Sequence, residues 1–135
     1  MLKIFLASHG NLASGMKSSL DILIGANEKV TVFDAYLNQE TVQEHVEDFY
    51  QTVSKEDQVI LLSDLYGGSV NQVLFLYLDR ANTMLVAGVN LALVLELAVR
   101  ESITEEELMN LVEQSKEMIR YIPKDVEVTV EEDFF

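Results

Sequence analysis

His9 stands between an apolar run and a glycine, in Ser8-His9-Gly10-Asn11, so its imidazole ends a buried segment and faces a turn. A neutral ring nitrogen in that position serves as nucleophile or base. The other ring nitrogen then needs an acceptor to orient it. Asp64, at the end of a later apolar run, is placed for this if the two runs are neighbouring strands. Asp64 opens the turn Asp64-Leu65-Tyr66-Gly67-Gly68-Ser69-Val70-Asn71, and a third turn, Gly88-Val89-Asn90-Leu91, follows a further apolar run. Gly10, Gly67, Gly68 and Gly88, four of the six glycines, fall in these turns, where they let the backbone bend sharply and bring N–H groups toward a bound group. Ser69 stands at the expected start of a helix, where its hydroxyl and the free N–H groups jointly hold an anion.

Other chemistries lack their residues. No Gly-x-x-x-x-Gly-Lys-Ser/Thr loop and no Gly-x-Gly-x-x-Gly occurs, and no Lys or Arg lies close in sequence to Gly67-Gly68-Ser69. That stretch also lacks the second glycine of a Gly-x-Ser-x-Gly nucleophile elbow. A hydrolase using Ser69 or Ser8 with His9 and Asp64 stays open as the alternative. His45, within Gln43-Glu44-His45-Val46-Glu47, reads as a solvent-exposed residue on an acidic helix, and His9, Asp64 and His45 have no metal-site spacing.

These turns need a framework to hold them together. Residues 3–8, 29–34, 58–63 and 83–89 are short apolar runs bounded by turn or polar residues, as parallel strands covered on both faces are. Between them, Leu12, Met16, Leu20 and Leu23 recur at helical spacing and stop at Gly25. Thr41-Val42-Gln43-Glu44 and Thr104-Glu105-Glu106-Glu107 are capping boxes. The first opens a helix with Val42, Val46, Phe49, Tyr50 and Val53 on one face; the second opens one with Leu108, Leu111, Val112, Ser115, Ile119 and Ile122, ending at Pro123. Val70, Val73, Leu74, Tyr77 and Leu78 form another stripe, and residues 91–100 follow the fourth strand directly. Residues 126–130 alternate as an edge strand does. The order βαβαβαβααβ predicts one α/β domain over residues 1–135, an open parallel sheet with helices on both faces. In such a sheet, chemistry sits at the carboxyl ends of the strands, where the strand order reverses.

Composition bounds the partners. The 135 residues carry 23 Asp+Glu against 9 Lys+Arg, a net charge of −14, with no Cys and 49% hydrophobic residues. A chain so acidic is a poor ligand for nucleic acid, and the missing thiols exclude disulfides, thiol catalysis and Cys-bound metal and fit a cytoplasmic setting. Residues 1–20 hold Lys3 and Lys17 and no acid, which suggests slightly basic surroundings for His9. Residues 84–99 are the one candidate for a membrane span, but Gly88, Asn90 and Glu96 interrupt them, and a buried strand followed by a buried helix explains them better. Residues 91–99, apolar nearly all round, belong to the domain core or to a dimer interface.

The run Phe5-Leu6-Ala7-Ser8-His9-Gly10-Asn11-Leu12-Ala13-Ser14-Gly15, the Asp64 to Asn71 turn and Gly88-Val89-Asn90-Leu91 closely resemble the enzyme IIA domain of the mannose family of the bacterial phosphotransferase system (PTS). The resemblance covers essentially the whole chain. It implies a flavodoxin-like sheet of four parallel strands plus a C-terminal antiparallel edge strand, usually in a homodimer. It also implies a phosphotransferase with a phosphohistidine intermediate: His9 takes a phosphoryl group from the phosphocarrier protein HPr and passes it to an enzyme IIB domain, which phosphorylates the incoming sugar. Asp64 would orient His9 and Ser69 would help hold the phosphoryl oxygens; Gly10, Gly67, Gly68 and Asn90, standing at the same strand ends, are expected beside the phosphoryl group, with no metal or other cofactor. Association with the membrane permease would be indirect. The family often has proline where this chain has Val70 and Ala92. A related branch is the phosphoryl-transfer subunit of dihydroxyacetone kinase, but Gly10 and Gly67-Gly68-Ser69 look more like the sugar-transport branch. Two anions in contact would repel, so Asp64 is expected on the ring nitrogen facing away from the transferred group.

Overall fold

The computed structural model describes residues 1–125. In chain order the elements are β1 (Leu2–His9), α1 (Leu12–Ile24), β2 (Val30–Ala35), α2 (Val42–Gln51), β3 (Gln58–Ser63), α3 (Ser69–Phe75), β4 (Thr83–Ala87), α4 (Leu91–Ala98) and α5 (Glu105–Lys116). The strands form one parallel sheet in the order β2-β1-β3-β4. The chain leaves β1 for β2 on one side and later returns to the other side as β3, so strand order reverses at the C-terminal ends of β1 and β3. The expected antiparallel edge strand at 126–130 lies outside the described residues.

Strand side chains alternate between two cores, which is why the strands read as unbroken apolar runs. Leu2, Ile4, Leu6, Ile60 and Leu62 pack with α1, α4 and α5 through Ala13, Leu20, Leu93, Leu97, Leu108 and Leu111. Phe5, Ala7, Val59 and Leu61 pack with α2 and α3 through Val46, Phe49, Val70 and Leu74 on the other face. Each large side chain buried this way contributes about 1.5–3 kcal/mol. The run at 84–99 is divided between β4 and α4 around Gly88, and no helix of the described residues is long and apolar enough to cross a membrane.

Local signals set the helix ends. Thr104 and Glu107 close a full capping box, Thr104 Oγ1 accepting the Glu107 N–H at 3.1 Å and Glu107 Oε1 accepting the Thr104 N–H at 3.0 Å. Of the box at α2, the Thr41 hydroxyl accepting the Glu44 N–H is the half that forms among the described residues. Gly25 ends α1 at φ +82°. Two apolar stripes are shorter than their periodicity. Leu12 is half exposed, and Ala13 takes the core position at the start of α1. Helix α5 stops at Lys116, leaving Ile119 and Ile122 exposed. The Ser115 carbonyl, which a continuing helix would pair with the Ile119 N–H, instead accepts from Asn90 Nδ2 at 2.8 Å and from the Met118 N–H at 3.1 Å.

The end of the sheet opposite His9 is tied by Asp57. Its carboxylate accepts the Ser54 N–H at 2.9 Å and lies 3.3 Å from the Met1 amino group and 3.4 Å from Lys3 Nζ. The Ser54 hydrogen bond, offset partly by burial and reinforced by the two cations, holds the Asp57 carboxyl down at about 2. A folded-state value below the unfolded one means that this contribution is complete above the ordinary carboxylate pKa of ~4 and is lost as pH falls through about 2. Thermal melts from pH 7 to pH 2 are therefore expected to show Asp57→Asn less stable than the native chain at neutral pH. The difference should shrink toward pH 2; a constant difference would show that the charge is irrelevant.

Candidate functional site

His9 is the last residue of β1, and Asp64 is the first residue after β3. Adjacent parallel strands with Ala7 opposite Ser63 bring both to one point on the sheet edge. Asp64 Oδ2 accepts two hydrogen bonds from His9, one from its backbone N–H and one from ring Nδ1, each 2.8 Å. The carboxylate is buried and the ring reaches solvent: the Asp64 side chain is 7% exposed and that of His9 40%. Burial pushes the Asp64 carboxyl up, but the backbone and ring hydrogen bonds from His9 outweigh it and hold the carboxyl below its ordinary value. A carboxylate accepting at Nδ1 places the ring proton there and leaves the Nε2 lone pair facing outward.

Ser69 begins α3 and sets its Oγ 3.3 Å from His9 Nε2. The Ser69 hydroxyl is also hydrogen-bonded to the Tyr36 hydroxyl, and the Tyr36 ring lies 5.1 Å from the imidazole, tilted by 36°. Tyr36 follows β2 directly, at a strand end that the reading of turns after β1, β3 and β4 passes over. The rule that ligands gather at the carboxyl ends of all the strands was the available signal.

The glycines act mainly through shape. Gly10 turns the chain from β1 toward α1 at φ +59°, and Gly67 bends the β3–α3 connection at φ +75°, both in the left-handed region that disfavours a side chain. The Gly10 N–H is committed to the Ala35 carbonyl at 2.8 Å and the Gly68 N–H to the Leu65 carbonyl at 3.2 Å, so neither N–H is aimed at a ligand. A Cβ on Gly68 would stand 3.2 Å from Leu65 Cβ and 3.6 Å from His9 Cε1, so glycine lets the loop lie against the ring. The N–H groups of the first turn of α3 have no carbonyl within the helix to bond.

Other expected site residues have structural partners. Asn90 caps α4, its Oδ1 accepting the Leu93 N–H at 3.0 Å while Nδ2 donates to the Ser115 carbonyl, so both ends of the amide hold backbone. Ser8 is buried, its Oγ accepting the Ala13 N–H at 2.7 Å and donating to the Gly10 carbonyl at 3.1 Å. That removes it as a nucleophile. His45 is half-buried rather than exposed, because its ring stacks on Phe33 at 4.0 Å. The two N-terminal lysines give His9 no basic surroundings: Lys3 is bound to Asp57 at the far end of β1, and Lys17 pairs with Asp21 at 2.7 Å.

The profile of the mannose-type IIA family, described as "PTS system fructose IIA component", matches residues 3–115. The chain belongs to this family. Among relatives, it is 25% identical over 114 residues to the PTS system fructose-specific EIIA component of Bacillus subtilis (strain 168), covering 82% of this chain and 78% of that one. Among solved structures, it is similar to the PTS IIA protein associated with the fucose utilization operon of Streptococcus pneumoniae, with TM-score 0.75, 26% identity, and 89% and 92% of the two chains covered. The mannose/sorbose-specific IIA subunit of Enterococcus faecalis shares the fold, with TM-score 0.76, 24% identity, and 94% and 98% covered. In this PTS IIA component the switch point of the sheet carries His9 and Asp64.

Proposed function

We propose that His9 Nε2 accepts a phosphoryl group from HPr and donates it to an enzyme IIB domain, in the cytoplasm and without cofactor or metal. The observation that carries this reading is the outward Nε2 lone pair behind an Nδ1–H held by a buried carboxylate. In transfer, that lone pair forms the new P–N bond while the bond from phosphorus to the donor breaks and its electron pair leaves with the donor. The proton on Nδ1 stays in place, and the positive charge gained by the ring is balanced by Asp64. Ser69 Oγ and the N–H groups of Gly67 and the first turn of α3 hold the phosphoryl oxygens, while Gly10 and Gly68 leave room beside them. Asn90 fits this scheme as the cap of α4. The reading extends to a single domain and to a homodimer built on the partly exposed apolar face of α4.

Incubation with phosphoenolpyruvate, enzyme I and HPr tests it by intact mass. One acid-labile phosphoryl group per chain is expected, and an unlabelled chain would overturn the reading. A second reading has one observation in its favour: Ser69 Oγ, His9 and Asp64 are connected in the order of a hydrolytic triad. Ester turnover without any phosphoryl donor, abolished by Ser69→Ala, would select it.

A further inference from the structure

We propose that Tyr36 is a positioning residue for the phosphoryl group on His9, acting through the hydroxyl of Ser69; this rests on His9 being the acceptor. Tyr36 is a bulky residue at φ +69°, in a region that disfavours any L side chain and most of all one this large. Such strain persists only where the surroundings over-determine it, and here it accompanies a specific contact. Ala35 pairs in register with His9, so the residue after it leaves the sheet beside the imidazole. The left-handed turn at Tyr36 accompanies a side chain that reaches across the strand ends to Ser69, 33 residues away in sequence. Tyr36 is 61% exposed, so core packing does not account for its placement.

The hydrogen-bond inventory gives the contact a direction. Asp64 fixes the proton on Nδ1, so Nε2 only accepts. Ser69 Oγ must then donate to Nε2, which spends its one proton, and Tyr36 must donate to Ser69 for both contacts to exist. The order is Tyr36 O–H to Ser69 O–H to Nε2, continued by Nδ1–H to Asp64. In the free chain the Ser69 proton sits on the lone pair that must attack phosphorus. When the phosphoryl group arrives, that proton swings to a phosphoryl oxygen while Tyr36 keeps Oγ at the same point. The Tyr36 ring meanwhile covers one flank of the imidazole and restricts water at the P–N bond.

The test uses the chain labelled by phosphoenolpyruvate, enzyme I and HPr, comparing native, Tyr36→Phe, Ser69→Ala, the double variant and Tyr36→Gly. Failure of the native chain to label overturns the parent reading and says nothing special of Tyr36. With the native chain labelled, Tyr36→Phe is expected to label about fivefold more slowly, the effect of one neutral hydrogen bond. The double variant should label within about twofold of Ser69→Ala alone, because Tyr36 acts through Ser69. The ¹⁵N resonance of Nε2 should move in Tyr36→Phe in the same direction as in Ser69→Ala. Tyr36→Gly, relieved of the strain, should melt no lower than the native chain yet lose its phosphoryl group faster after the donor is removed. Native labelling by Tyr36→Phe with an unmoved Nε2 resonance, or multiplying effects in the double variant, would overturn the proposal.

Discussion

Alanine at position 9 is expected to abolish phosphoryl acceptance, with no label detectable by intact mass under conditions that load the native chain. The loss is total because, among the described residues, no other side chain at the sheet edge offers an equivalent nucleophile. Ser69 Oγ has no base to take its proton once the imidazole is gone, and Ser8 Oγ is buried in bonds to Ala13 and Gly10. His45 is stacked on Phe33 and faces Glu40 at 3.5 Å, in a setting without the buried carboxylate that orients His9. The fold should survive, since the ring is the exposed partner of the pair and the His9 backbone N–H still bonds Asp64 Oδ2. His9→Gln, which keeps a polar side chain at the same point, should behave the same way. Labelling of either variant at the native rate would move the acceptor elsewhere.

Asparagine at position 64 is expected to slow labelling about 10- to 100-fold, the range for losing a charge-assisted hydrogen bond of about 1.5–3 kcal/mol. The geometry makes this conservative change costly in either orientation. Oδ2 accepts two N–H groups from His9, whereas Oδ1 is buried without a partner among the described residues. If the amide oxygen takes the Oδ2 place, an NH₂ group is buried with no acceptor, at about 1–3 kcal/mol. If the amide is reversed, its NH₂ faces the His9 backbone donor and forces the ring to the other tautomer, leaving a proton on Nε2. Stopped-flow labelling and melting of Asp64→Asn separate the two costs, and labelling at the native rate would remove Asp64 from the mechanism. The acid dependence has a definite sign. The Asp64 carboxyl is held below its ordinary value, so the His9–Asp64 contact contributes fully above a pH of ~4 and is lost as pH falls through that lowered value. Asp64→Asn should lack this acid limb.

Much of this was legible in the order of residues. Unbroken apolar runs announce strands covered on both faces, and the two cores on either side of the sheet are their consequence. Gly25 and the Thr104 box mark helix ends because capping is decided within a single turn. His9 and Asp64 could be singled out for the same local reason, as polar residues at the ends of apolar runs. The apolar stripe through Ile119 and Ile122 misled, because periodicity records what a helix could bury and not whether its carbonyls stay free to continue it.

Strand order was the tertiary decision. It sets β1 between β2 and β3, and so joins residues 55 apart in the His9–Asp64 bond, 60 apart in the Ser69–His9 contact and 33 apart in the Tyr36–Ser69 bond. The same packing took both N-terminal lysines away from the site into ion pairs and turned Asn90 toward the α5 backbone. Propensity and periodicity reach only a turn or two along the chain, whereas the partners of a strand-end side chain depend on which strands lie beside it. The sequence alone determined which residues would stand at strand ends; the sheet determined that His9, Asp64, Ser69 and Tyr36 would stand at the same one.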